Sequence, residues 1–108
     1  MGASIKVGNS TNASDPGIGI YSGAAGSTVK NDGTITSGVN SIGIYNNQGT
    51  TTINGTAVHN IDNSGVGIYA TGGIVNLNSG SVFNMGTNGA VAVYGVNSGV
   101  TNSTNLNV

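Results

Sequence analysis

The chain has 108 residues, one histidine, no cysteine and a formal net charge of −1, drawn from only two basic and three acidic side chains. That leaves no disulfide or thiolate zinc site, no basic footprint for nucleic acid and no polybasic patch for a membrane surface. The length holds one domain at most, no run is apolar enough to insert in a bilayer, and the start "MGASIKVGNS" lacks the apolar stretch of a signal peptide.

The first 20 residues read as the tail of a repeat unit, with Ile5 as its apolar marker. "GIGIY" at 17–21 then opens a pattern that returns as "SIGIY" at 41–45, "GVGIY" at 65–69 and "AVAVY" at 90–94. Its tyrosines are Tyr21, Tyr45, Tyr69 and Tyr94, with steps of 24, 24 and 25. Fixed self-similarity of this length marks a repeat architecture. The units are 1–20 (partial), 21–44, 45–68, 69–93 and 94–108 (partial).

Each unit holds three short alternating runs. In the first full unit these are I-G-I-Y, T-V-K and T-I-T; in the next they are I-G-I-Y, T-I-N and A-V-H. Gly, Asn, Asp and Ser clusters such as "SGAAG", "KNDG" and "NNQG" separate them, which is strand-and-turn punctuation. β-Branched residues are abundant and strong helix formers are scarce. Three strands in about two dozen residues suit a coil in which each strand pairs with its equivalent one turn away. The predicted fold is all-β: a single-stranded parallel β-helix or solenoid, right-handed by preference, of about four and a half coils of about 24 residues.

The alternation assigns the core. Ile18 and Ile20, Ile42 and Ile44, Val66 and Ile68, and Val91 and Val93 are expected inside, with Gly19, Gly43 and Gly67 outside beside the tyrosines. A second column joins Val29, Ile53 and Leu77, each eight residues after a tyrosine; Asn102 stands at the corresponding place in the last unit. A third joins Ile35, Val58 and Val82, each four residues after an asparagine. Polar ladders are expected at Asn40, Ser64 and Asn88, and at Asn60 and Asn84. The tyrosines are expected to form a surface ladder, structural first and a partner contact second, each ring lying over the glycine two residues before it.

Chemistry is harder to find. "GIGIYSG" spaces its glycines one residue too widely for a dinucleotide fingerprint. Asp15, Asp32 and Asp62 occupy turn-like contexts on different coils, which suits neither a carboxylate pair nor a base with cationic helpers. His59 alternates with Val58 and is expected to point outward, exposed or stacked on Phe83; it has no second histidine or cysteine for a metal. A threonine array of the ice-binding kind would need Thr34 and Thr36 repeated, but the equivalents are read as Ala57 and His59, then Ser81 and Phe83. The Asn-Gly pairs at 54–55 and 88–89 mark turns. No catalytic, cofactor or metal site is expected.

The motif G-[IV]-G-I-Y, with "STVKNDGTIT" and "GIVNLNSGSVFN", resembles the passenger-domain β-helix repeats of bacterial autotransporter adhesins. The likeness runs over essentially the whole chain. It implies a non-enzymatic segment of a passenger at the bacterial surface, secreted and anchored in the outer membrane through a part not included in these residues. Its partners would be host or microbial surface proteins or glycans. The alternative is a structural solenoid that self-associates through its open ends into filaments.

Overall fold

The computed structural model describes residues 3–12 and 14–102, with the Asn102 side chain left aside. The end of the last predicted unit, 103–108, lies outside the described residues. Twelve strands follow in chain order: β1 Ser4–Val7, β2 Ile18–Ser22, β3 Thr28–Asn31, β4 Thr34–Ser37, β5 Ile42–Asn47 and β6 Thr50–Ile53, then β7 Val58–Ile61, β8 Val66–Thr71, β9 Ile74–Leu77, β10 Val82–Met85, β11 Val91–Val96 and β12 Gly99–Asn102.

They form three four-stranded sheets: I, of order β1-β4-β7-β10; II, β2-β5-β8-β11; and III, β3-β6-β9-β12. Every pairing is parallel, and each joins a strand to its equivalent one coil on. The protein is a β-solenoid of four turns.

The core lies where the three sheets face one another. Ile35, Ile44, Ile53, Ile68, Val75 and Leu77 are essentially inaccessible, joined by Ala57 and Ala70. Ile20, Val29, Phe83 and Val93 pack against them. Each fully buried aliphatic side chain contributes roughly 1.5–3 kcal/mol. No single coil could bury these groups, so each coil is stable only between its neighbours.

Three of the expected columns fall differently. Val29 stacks on Thr51, and Asn31 on Ile53 and Leu77. The cause is the link from β2 to β3, residues 23–27, where the later coils use only two residues, 48–49 and 72–73. The next link compensates: two residues, 32–33, replace the four at 54–57 and 78–81. The tyrosines and sheet I therefore stay in step while β3 alone slides by two.

Sheet I keeps the 24-residue step, not the step of 23 that paired Ile35 with Val58, so Ile35 lies over His59 and Phe83, and Val58 and Val82 lie over Thr34. Val58 is half-buried and Val82 is 45% exposed, so neither belongs to the core. The pairing also corrects the threonine reading: Thr34 continues as Val58 and Val82, and Thr36 as Asn60 and Asn84. The array still fails after one coil.

The third difference is in sheet II. Ile18 is 42% exposed, Val66 and Val91 are half-buried, and Ile42, though buried, lies outside the central cluster. Here the chain turns out of sheet I, and the glycine before each inner isoleucine faces inward. A Cβ on Gly43 would sit 2.7 Å from both the Gly67 carbonyl oxygen and Ser37 Oγ. Gly19 and Gly67 meet comparable obstacles in the next coil's carbonyl and in Val7 or Ile61. These glycines let the corner fold tightly; they do not share the tyrosine face.

The turns repeat as well. Asn40 (φ 55°), Ser64 (φ 57°) and Gly89 (φ 68°) are the left-handed residues between sheets I and II. Gln48 (φ 77°), Gly72 (φ 81°) and Asn97 (φ 53°) serve between II and III. Asn, Ser and Gly suit these positions because they tolerate or assist left-handed backbone.

Replacing Ile44 with Ala is expected to lower unfolding free energy by about 2–5 kcal/mol. Replacing it with Asp should abolish the cooperative thermal transition followed by circular dichroism. Val82→Thr should shift stability by no more than about 0.5 kcal/mol. A wild-type melt for Ile44→Asp would remove Ile44 from the core.

Candidate functional site

The tyrosine flank is the most regular exposed feature. Strand register places Tyr21, Tyr45, Tyr69 and Tyr94 one above another. Tyr45 and Tyr69 stack at 5.1 Å and 23°, and Tyr69 and Tyr94 at 5.1 Å and 12°. Tyr21 meets Tyr45 edge-on at 5.3 Å and 64°. Each contact adds about 0.5–1.5 kcal/mol beyond area burial.

The aromatic spacing equals the coil spacing, so ring faces are occupied by neighbouring rings. Both faces of Tyr69 are covered in this way. The flank therefore presents ring edges and hydroxyls. Tyr21 and Tyr94 are 61% and 49% exposed, while the middle two are half-buried. Tyr21 lies against Gly23, two residues after it, where a Cβ would come 2.7 Å from its ring. The covered glycine is thus not Gly19.

Beside the rings runs an open groove of about 350 Å³, walled by Ile42, Val66, Tyr45 and Tyr69 and closed by Pro16, Asn40 and Ser64. It has no charged lining. Ile42 is buried as expected and Val66 only half-buried, yet both also wall this groove, which the regular alternation of I-G-I-Y did not reveal.

Asn40 donates to the Ser10 carbonyl at 3.1 Å, and Ser64 N to the Asn88 carbonyl at 2.8 Å. Asn40 and Ser64 hold equivalent turn positions, but their equivalent in the next coil is Gly89, not Asn88. The 25-residue step between the last two tyrosines shifts the column by one. The expected Asn40, Ser64, Asn88 ladder is therefore not formed. In the other, Asn84 Nδ2 donates to Asn60 Oδ1 at 2.8 Å. A ladder that the spacing did not reveal runs from Asp32 through Asn54 to Asn78, with contacts of 2.6 Å and 3.2 Å.

His59 lies inside, contrary to its expected outward orientation, because the face it shares with Ala57 and Ile61, and not that of Val58 and Asn60, turns to the core. Its ring stacks on Phe83 at 4.9 Å and 15°. The Gly33 N–H donates to Asn31 Oδ1 at 2.9 Å, which aims Asn31 Nδ2 at His59 Nε2, 3.0 Å away. Nε2 must then accept, and the proton sits on Nδ1, which has no partner among the described residues. The imidazole is held neutral, and burial pushes its pKa from 6.5 down to about 4.

Among the described residues no group of three His, Cys, Asp or Glu side chains gathers in a metal-binding arrangement. Asp15, Asp32 and Asp62 are all exposed. No protein-family model, curated protein or solved structure matches the chain. The class rests on the fold itself, a parallel β-solenoid with an aromatic flank.

The neutral histidine has a pH consequence. Between 6.5 and about 4 the unfolded chain holds the imidazole proton and the folded chain does not. Stability is complete above pH 6.5 and declines as pH falls toward 4, by at most roughly 3 kcal/mol. Thermal midpoints measured across that window should show the decline. His59→Phe, which extends the Phe83 stack, should remove it even if the variant melts lower throughout.

Proposed function

We propose that the chain is a non-enzymatic segment of an autotransporter-type surface passenger, a stiff spacer whose tyrosine flank can contact a receptor. The observation that carries this reading is the unbroken in-register stack of three parallel sheets, which propagates by simple repetition. The described turns form a short drum, 32 × 27 × 26 Å, and length would come from adding coils. The resemblance of the G-[IV]-G-I-Y units to adhesin passengers points the same way. An uncharged groove beside a row of phenol hydroxyls suits a neutral, hydrogen-bonding partner such as a surface glycan or the uncharged face of a protein.

The second reading, end-to-end assembly, is favoured by one observation. Val96 and Val100 on the last coil, and Ile5 on the first, are each about 40% exposed beside strand edges without a further coil.

Phenylalanine variants test the adhesive reading cleanly. Converting Tyr45, Tyr69 and Tyr94 to Phe keeps every ring stack and removes only hydroxyls. Stability should stay within about 0.5 kcal/mol per site. Binding of the purified chain to a glycan array or to cultured cells should fall at least about tenfold, the weight of one or two hydrogen bonds. Unchanged binding would exclude the flank. Sedimentation that shifts steadily with concentration, without cell or glycan binding, would favour assembly.

A further inference from the structure

Two Asn-Gly pairs occur, at 54–55 and 88–89, and both lie in turns after strands. Asn-Gly is the dipeptide most open to self-modification, because glycine has no side chain to hinder attack by its own amide nitrogen on the neighbouring amide carbon. The two sites differ in what holds the asparagine. Asn54 is tied at both ends: its Nδ2 donates to Asp32 Oδ1 at 2.6 Å, and its Oδ1 accepts from Asn78 Nδ2 at 3.2 Å. Asn88 is exposed, and among the described residues its hydrogen bonds are made by its backbone alone, N to Asn63 Oδ1 at 3.1 Å and O from Ser64 N at 2.8 Å. Its side-chain amide is free to rotate.

We infer that Asn88 is a site of spontaneous deamidation, and that the Asp32, Asn54, Asn78 ladder protects the chemically identical pair at Asn54. In the first step the Gly89 nitrogen gives up its proton and bonds to Asn88 Cγ. The Cγ–Nδ2 bond breaks, and Nδ2 leaves with a proton as ammonia, closing a five-membered imide. Water then opens the imide on either side. One product is aspartate; the other is isoaspartate, with the main chain rerouted through the side-chain carbon. The net change is one water consumed and one ammonia released, without an oxidant or catalyst.

The position gives the change a consequence. Each event at Asn88 takes the formal net charge from −1 to −2. It does so next to Ser64, on the rim of the groove beside the tyrosines. The same event at Asn54 would set a second carboxylate on Asp32, where like charges repel across one coil spacing. The solenoid thus leaves one Asn-Gly pair open and locks the one whose side chain already touches a carboxylate.

The test is peptide mapping by mass spectrometry of the intact chain during incubation in mildly alkaline buffer, folded and in urea. In the folded chain Asn88 should convert at least about tenfold faster than Asn54, since only Asn54 must break side-chain hydrogen bonds. In urea the two rates should converge. Asp32→Ala, checked for a retained melt, should bring the Asn54 rate toward that of Asn88; Asn78→Ala is the second variant if the first does not fold. Equal rates in the folded wild-type chain, or an Asn88 rate far below its value in urea, would overturn the inference. So would a folded Asp32→Ala or Asn78→Ala chain in which Asn54 stays slow.

Discussion

In-register parallel stacking is the constraint on which everything else depends. Each residue lies about 4.8 Å from its equivalent in the next coil, so every side chain is packed largely against its own column. Groups that attract their own kind are favoured there: β-branched aliphatics inside, aromatic rings and amides outside. Groups that repel their own kind are excluded. Two like charges at that spacing cost about 1 kcal/mol in water and roughly 3 at the effective dielectric near a protein surface. The few charges obey this rule, since Lys6 is followed by Thr36, Lys30 by Thr52, and Asp32 by Asn54.

The same constraint explains what could be read from sequence. A repeat of 24 residues is the circumference of a coil, so three strands per turn and the tyrosine column were available from spacing alone. The phase inside a coil was not. Five residues at 23–27 and two at 32–33 do the work that two and four do in the next coil, and the period conceals the exchange. Val29 and Ile53 are both eight residues from a tyrosine, yet they occupy different columns. A period fixes where a coil closes; turn lengths fix which residues face inward.

His59 shows how sharp the second requirement is. In "AVHN" hydrophobicity favours Val58 as the inward residue, and a one-residue shift reverses every side chain of a strand. The shift was settled by Ile61, which shares the His59 face and fills the core at 3% exposure. The histidine is the cost of keeping Ile61 and Ala57 inside. It is tolerated because Asn31 stands one coil below at hydrogen-bond distance and Phe83 one coil above as a stacking surface. The Phe83 stack followed from the period, one coil on, but Asn31 lies 28 residues away on another sheet, and nothing in the spacing marked it as the partner of His59.

Polar groups in such a stack also constrain one another in direction. Asp32 has only acceptors when ionised, so Asn54 must turn Nδ2 toward it. That leaves Asn54 Oδ1 facing the next coil, so Asn78 must in turn offer its own Nδ2. The Gly33 N–H acts in the same way on Asn31, and through it fixes the tautomer of His59. One group with a single hydrogen-bonding sense orients the whole column beyond it. The ladders at Asn60 and Asn84 and at Asn47 and Thr71 run as the Asp32 ladder does, with the later coil donating to the earlier, whereas Asn31 donates forward to His59. Aligned amides polarise one another, which strengthens each bond. In a solenoid with hardly any charge, the direction of each polar column is thereby set by amide orientation rather than by ions, column by column.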